Sequence, residues 1–511
     1  MKTLDLAARA RRWYGAAILL LALGSLSATG ADVPASAAVP PQPNVVLFVS
    51  DDHGLDAGCY GHPVVRTPHL DRLAAEGVRF DLAFCTTASC SPSRSVLLSG
   101  LHNHATGQYG LAHAYHHFSS YSSLRTLPVI LAEHGYRTAR VGKFHVMPAE
   151  AYAFQTVLPT AQGSRNPVRM AEACREFLAD RRTPFFLYFC VSDPHRAGVT
   201  LTHKPGRPGS FGNHQAYPGV SEITYDPGQV SVPPWLPDTP ESRAELAEYY
   251  QAVSRVDQGV GRLVQILREA GQYENTLFIY LSDNGTAMPG AKTTLYEPGI
   301  RLPLIVRPPG AAAGGRVSRA MVSWVDITPT ILDYAGVREV LAPPYVAGEP
   351  GDGGRARPGE APRVPYQFHG RSFRPVLEAE PAEGWDEVFA SHTFHEVTMY
   401  YPMRALRTRR YKLILNLAHP LPFPFASDLY KSATWQRARQ SGDEALYGRR
   451  RIAEFLHRPR YELYDLQTDP DEVVNLAGRP EHQALFQQLA ARLKEHQERT
   501  GDPWLLKYQY E

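Results

Sequence analysis

Cys90 lies in Ser89-Cys90-Ser91-Pro92-Ser93-Arg94, a cysteine followed two residues on by proline and four residues on by arginine. These residues alone leave two readings open: a structural cysteine buried ahead of a turn proline, or a reactive group with a guanidinium at hand to stabilise negative charge. If a helix starts near Pro92, its N-terminal amides add to that stabilisation. Asp51, Asp52, Asp283 and Asn284 supply only hard oxygen donors, the set that Ca²⁺ or Mg²⁺ takes, whereas softer metals favour imidazole or thiolate. A single Asp after a strand usually caps a turn, but donors at two matched strand ends point to a metal site. Lys143 and Lys292 could neutralise the nonbridging oxygens of a tetrahedral anion, although a solvated surface charge is the other reading of Lys292. His145 and His195 are candidates for proton transfer at a nucleophile and a leaving group. The stretch containing His102, His104, His113 and His116 lacks metal-ligand spacing and is assigned to loop packing near the site.

These residues need strand ends to hold them. Asn44 to Val49 is a continuous apolar, β-branched run of the kind that forms a buried parallel strand, and it ends in Ser50-Asp51-Asp52-His53-Gly54. The same grammar recurs at Phe185 to Val191, ending in Ser192-Asp193-Pro194-His195, and at Leu277 to Leu281, ending in Ser282-Asp283-Asn284-Gly285. A fourth run, Thr138 to Val141, leads into Gly142-Lys143-Phe144-His145. Helices are punctuated between them: Thr67 caps, Pro68 opens and Gly77 stops one, and a longer one follows Thr239-Pro240. This alternation predicts an α/β fold with a mostly parallel sheet flanked by helices, whose ligands bind beyond the carboxyl ends of the strands. After the Pro/Gly-rich residues 342–370, weakly alternating runs at Tyr411 to Leu415 and Tyr461 to Leu466, and a helical tail after His482, predict a smaller C-terminal α+β domain with an antiparallel sheet.

Lys2, Arg9, Arg11 and Arg12 precede the apolar run Ala16 to Leu26 and the small residues Ala28-Thr29-Gly30-Ala31, so residues 1–31 read as a signal peptide and 32–43 as a Pro-rich leader. The run is short of the roughly 20 apolar residues of a membrane span. The chain is therefore expected to be exported, periplasmic or secreted, with twin-arginine and general routes both open. Five cysteines in an exported chain leave at least one unpaired, and Cys90 is the natural one; pairing among Cys59, Cys85, Cys174 and Cys190 stays open. Lys plus Arg number 53 against 51 Asp plus Glu, a balance that advertises no nucleic-acid partner.

The ordered set Ser50-Asp51-Asp52, Cys90-Ser91-Pro92-Ser93-Arg94, Leu98-Ser99-Gly100-Leu101, Gly142-Lys143, Asp193-Pro194-His195, Ser282-Asp283-Asn284-Gly285, Asp326-Ile327-Thr328-Pro329-Thr330 and Glu462-Leu463-Tyr464-Asp465 resembles the type I, formylglycine-dependent sulfatases of the alkaline phosphatase-like superfamily. The resemblance runs from about Asn44 to Trp504. Within that family it is most similar to the sulfamidases, the N-sulfoglucosamine sulfohydrolases, through Tyr109-Gly110-Leu111, His195-Arg196, Asp257-Gln258-Gly259-Val260-Gly261, His395-Glu396-Val397-Thr398-Met399 and Tyr401-Pro402-Met403-Arg404.

The resemblance implies that a maturation enzyme oxidises Cys90 to formylglycine, whose hydrate attacks sulfur with one hydroxyl and expels sulfate with the other. It implies one divalent cation, Ca²⁺ in preference to Mg²⁺, held by Asp51, Asp52, the group at position 90, Asp283 and Asn284. It also implies that Arg94 and His145 tune the diol, Lys143 and Lys292 grip sulfate oxygens, and His195 protonates the leaving group. His395, Glu396 and Arg404 are expected to line the sugar pocket. Two departures stand out: Lys292 replaces an arginine, losing bidentate contact, and Ala197 replaces a cysteine of lysosomal relatives. The domains expected are a catalytic domain over 44–341, a linker or loop over 342–370, and a C-terminal subdomain over 371–511 that completes the pocket. The expected activity is hydrolysis of glucosamine N-sulfate in heparin- or heparan-type glycans. An O-sulfatase, a phosphonate or phosphodiester hydrolase, and a noncatalytic sulfated-glycan binder are the alternatives. Neither nucleic acid nor stable membrane insertion is expected, and the oligomeric state stays open, a homodimer included.

Overall fold

The protein is described by a computed structural model in which residues 42–160, 163–197, 210–310, 314–342, 365–379 and 383–510 are placed. The expected signal peptide and leader up to residue 41, and residues 343–364 of the expected linker, lie outside the described residues. Residues Gln42–Glu511 cluster as one compact unit.

The apolar runs do form strands. The main sheet has eight: β1 (Asn44–Ser50), β2 (Val78–Phe80), β3 (Arg137–Gly142), β4 (Thr156–Leu158), β5 (Phe185–Cys190), β6 (Thr276–Ser282), β7 (Leu304–Arg307) and β8 (Arg316–Ser318). Their spatial order is β4-β3-β5-β1-β6-β7-β2-β8. The pairs from β4 to β6 are parallel, and β7 is antiparallel to both its neighbours. Strand β1 is buried throughout, and its residues alternate between two cores: Val45, Leu47 and Val49 face one, Val46 and Phe48 the other. That alternation explains the unbroken apolar run, because a strand covered on both faces has no polar side. Each such side chain contributes roughly 1.5–3 kcal/mol by burial.

Helix α1 (Pro68–Glu76) lies between Thr67, whose side chain makes no capping hydrogen bond, and Gly77, and α2 (Cys90–Ser99) starts two residues ahead of Pro92. The 30-residue α3 (Pro240–Glu269) has the Thr239 side chain accepting from Ser242 N at its start. The C-terminal sheet runs β9 (Glu387–Phe394), β10 (Tyr400–Thr408), β11 (Tyr411–Asn416) and β12 (Tyr461–Asp465), all antiparallel neighbours. Leu406, Leu413, Leu415 and Leu463 pack on Leu489 and Leu493 of α4 (Gln483–Arg499), while Met403 and Ala405 join the main core. The second sheet is thus fused to the first through its inner face. Among the described residues no helix is long and apolar enough to cross a membrane.

Candidate active site

Four neighbouring strands, β3, β5, β1 and β6, deliver their carboxyl ends side by side, so the four chemistry-bearing motifs meet at one edge. Ser50 pairs with Ser282 in register, which sets Asp51-Asp52 beside Asp283-Asn284. Asp52 N donates to Asp283 Oδ1 at 3.1 Å, and Asn284 Nδ2 donates to Asp52 Oδ1 at 2.7 Å. The chain is strained here: Asp52, His145 and Thr293 all have positive φ, at 64°, 59° and 68°. Such conformations cost of order 1–3 kcal/mol each and persist where surrounding contacts over-determine them. Gly142 at φ 84° turns β3 toward the site, and a Cβ there would lie 2.0 Å from Cys190 O. Only glycine fits ahead of Lys143.

Cys90 is the first residue of α2, its thiol buried and 3.8 Å from Asp52 Oδ1. Arg94, one turn on, is wholly buried: Nε donates to Asp283 Oδ2 at 2.9 Å and Nη1 to Lys143 O at 3.1 Å. Lys143 Nζ donates to Asp51 Oδ2 at 2.6 Å. Lys292, expected to grip sulfate oxygens with a solvated surface charge as the other reading, is fully buried and bridges Asp52 Oδ2 at 2.9 Å and Asp428 Oδ2 at 3.0 Å. Its own burial and its two carboxylate partners exclude the solvated reading.

Burial, joined by the charge of Asp51, pushes the Asp283 carboxyl up to about 7. Burial also opposes ionisation of Asp51, yet Lys143, His195 and Arg94 outweigh it and hold that group well below the usual range. The Cys90 thiol is driven well above its ordinary value, mainly by burial. As a plain cysteine it would stay protonated and a poor nucleophile. His145 is held well below the imidazole range by burial and then Lys143; its Nδ1 is buried without a partner and its Nε2 meets His113 Nδ1 in a short contact. Burial and Lys292 also lower His195. Its Nδ1 donates to Arg196 O, so Nε2 faces Asp52 and Asp428, 3.8 and 3.9 Å away. An anion bound in the cavity favours the protonated ring.

The acid cluster fits a hard cation. Asp51, Asp52 and Cys90 present ligand atoms within 4.8 Å of one another. Asp51 Oδ1 and Asn284 Oδ1 are buried and have no hydrogen-bond partner among the described residues, which is costly unless an ion receives them. Asp193 does not join: it pairs with Arg255 Nε at 2.6 Å and with Arg165.

A cavity of about 930 Å³ opens over Cys90 and is lined by Asp51, Lys143, His145, His195, His395, Glu396 and Asp428, among others. His395 is tied to the start of α2, its Nδ1 2.8 Å from Ser89 Oγ. Glu396 Oε1 accepts from Ser427 N at 3.0 Å and Ser427 Oγ at 2.5 Å. Arg404 is not brought to this cavity. It is buried against Asp502 (Nη2 to Oδ1, 2.9 Å) and the carbonyls of His392 and Met403. Its place in mid-strand β10, register-paired with Ser391 and Leu415, turns it toward the C-terminal segment. Sequence reasoning missed Asp428, because Ser427-Asp428 opens a four-residue helical turn and reads as an ordinary cap.

The His-rich stretch divides in two. His113 and His116 line the cavity. His102 and His104 instead stack together and meet His369 and His496, with ring centroids 4.8 to 6.3 Å apart. His369 Nδ1 accepts from His102 N, and His496 Nδ1 faces Arg499 Nη2. Each therefore carries its proton on Nε2 and offers no free lone pair to a metal. All four lie below the ordinary imidazole range with burial the largest cause: His104 and His496 at about 3, His369 at about 4, and His102 well below. None of the five cysteines is in a disulfide.

Buried cations and hard-ligand acids around a helix-borne residue suit a small tetrahedral oxyanion, and the sheet that carries them has the alkaline phosphatase-like fold. Residues 43–337 match the family model described as Sulfatase, and the chain belongs to the sulfatase family. It is 40% identical over 477 residues to human N-sulphoglucosamine sulphohydrolase, covering 90% of this chain and 91% of that protein. It is 25% identical over 585 residues to an N-acetylglucosamine-6-O-sulfatase of Bacteroides thetaiotaomicron, covering 95% and 91%. Among solved structures, one in complex with its substrate D-glucosamine-2-N,6-O-disulfate superposes with a TM-score of 0.63 at 21% identity, covering 90% of this chain and 99% of the other. The phosphonate monoester hydrolase of Agrobacterium radiobacter gives 0.60 at 18% identity, covering 90% and 96%. At those identities the likeness shows the fold.

Proposed function

We propose that the chain is an exported sulfohydrolase that uses formylglycine derived from Cys90 to cleave the N-sulfate of glucosamine residues in heparin- or heparan-type glycans. The observation that carries this reading is the cavity over Cys90, whose wall includes His395 and Glu396 from the motif on which the sulfamidase resemblance rests. The 40% identity with the human sulphohydrolase over nearly the whole of both chains supports it. In this reading residues 44–341 form the catalytic domain and 371–511 the subdomain that completes the pocket. Residues 1–31 direct export to the periplasm or beyond.

Asp51, Asp52, Asp283 and Asn284 would hold the divalent cation, Ca²⁺ in preference to Mg²⁺, together with the group at position 90. When both groups are in place, the hydrated aldehyde supplies an oxygen nucleophile and the cation offsets sulfate charge. Around them, Lys143 and Lys292 are preorganised cations for the nonbridging oxygens, locked by their carboxylate partners before substrate arrives. Arg94 and the first amides of α2 favour an oxyanion at position 90. His145, half-buried with an unpartnered Nδ1, is placed to accept a proton beside that position. His195 presents Nε2 to the cavity and gives its proton to the departing nitrogen.

The test compares sulfate release from N-sulfoglucosamine and glucosamine-6-O-sulfate by protein matured with its modifying enzyme. Faster release from the N-sulfate is expected. Release from the O-sulfate alone would move the assignment to O-sulfatase.

A further inference from the structure

Asp428 stands at the meeting point of His195 and Lys292, in a segment far from the core motifs. Its Oδ2 lies 3.9 Å from His195 Nε2 and 3.0 Å from Lys292 Nζ, while Oδ1 accepts from the amide of Leu429 at 2.9 Å. The side chain lines the cavity and keeps 14% exposure toward it. Lys292 is shared between Asp428 and Asp52, so Asp428 has only part of one ammonium as its ion-pair partner. Arg196, on the same cavity wall, is committed to Glu245 at 2.7 Å. Lys292 also fills the space between Asp52 and Asp428 that a second cation would need.

We propose that Asp428 selects a nitrogen leaving group over an oxygen one. This rests on the sulfohydrolase reading above. For a sulfamate the overall change is R–NH–SO₃⁻ + H₂O → R–NH₃⁺ + SO₄²⁻. The S–N bond breaks with its electron pair passing to nitrogen, His195 supplies one proton and solvent the second. For an ester it is R–O–SO₃⁻ + H₂O → R–OH + SO₄²⁻ + H⁺, and the leaving oxygen ends neutral. Because Asp428 Oδ2 is 3.9 Å from His195 Nε2, one leaving atom can lie within hydrogen-bond reach, about 3 Å, of both. There a carboxylate accepts from the sulfamate N–H and attracts the cation that forms, and these interactions grow as the bond breaks. An ester oxygen carries no hydrogen to donate and gains nothing from the negative charge. The discrimination therefore comes from a group that pairs with one leaving atom and repels electron density on the other.

The experiment measures kcat/KM for N-sulfoglucosamine and glucosamine-6-O-sulfate in the matured wild type, Asp428→Asn and Asp428→Glu. The N-to-O ratio is expected to fall roughly ten- to hundredfold in Asp428→Asn, the size of a charge-assisted hydrogen bond, and to recover in part in Asp428→Glu. An equal loss on both substrates would mean that Asp428 only positions Lys292, and it overturns the proposal, as does an unchanged ratio. Should Asp428→Asn fail to fold, product inhibition of the wild type decides instead: glucosamine is expected to inhibit more strongly than glucose, and equal inhibition overturns the proposal. A wild type that leaves N-sulfoglucosamine untouched would fail the underlying reading, a result distinct from failure of the Asp428 assignment.

Discussion

The histidine cluster behind the C-terminal sheet makes the fold acid-sensitive in a calculable way. His102 and His104 follow α2, His369 precedes β9 and His496 lies in α4, so the cluster joins three regions of the chain. Arg404 and Arg499 face it and oppose protonation, while Asp502 favours it. Each ring is neutral when folded, whereas an unfolded histidine protonates near pH 6.5. Because folded values are depressed, the unfolded state binds more protons below that pH. Stability is full above about pH 6.5 and is lost as pH falls toward the folded values of about 3 to 4. Between pH 7 and pH 5 each of His104, His369 and His496 costs about 2 kcal/mol, or about 6 kcal/mol together. That is a large share of an ordinary folding stability of about 5–15 kcal/mol. His104→Gln isolates one ring, since the amide can still donate to Thr500 Oγ1 as His104 Nε2 does at 3.0 Å. Urea unfolding of both proteins from pH 4 to 6 should show the variant's stability falling less steeply, by about 1.4 kcal/mol per pH unit. Parallel slopes would refute the neutral-cluster argument.

Two further outcomes follow from buried ion pairs. Lys292→Met leaves Asp52 and Asp428 without their shared ammonium, and a loss of about 3–5 kcal/mol in unfolding free energy is expected, together with strongly reduced sulfate release; a loss below about 1 kcal/mol would mean the lysine is solvated. Arg404→Met strands the Asp502 carboxylate and should destabilise by a similar 3–5 kcal/mol with little change in KM for the sugar, whereas a raised KM in a stable protein would return Arg404 to the pocket.

Much of the fold was legible because the strands are covered on both faces. Asn44 to Val49 and Leu277 to Leu281 could be read as buried strands from their unbroken apolar character, and their shared Ser-Asp ending pointed to one functional edge, where Ser50 pairs with Ser282. The helix bounded by Thr67 and Gly77 was equally plain, since proline and glycine punctuate it. What could not be read was side-chain direction across long separations. Arg404 sits beside a recognisable motif, yet its partner Asp502 is 98 residues away and only the folded sheet brings them together. Asp428 carries no local signal because its partner Lys292 is 136 residues distant. For the same reason the residues around Lys292 left a solvated surface charge open beside its reading as a sulfate-gripping cation. The two fates of the His-rich stretch also escaped composition, since only tertiary contacts bring His369 and His496 to His102.

Position 90 is where the account stands or falls. A buried, protonated thiol beside three carboxylates is a poor nucleophile, so the site makes sense as an active centre only with a different group there. The direct measurement is the mass of the peptide containing Cys90 from protein produced with a formylglycine-generating enzyme. The account predicts an aldehyde in place of the thiol. An intact thiol throughout a sample that still releases sulfate would contradict it.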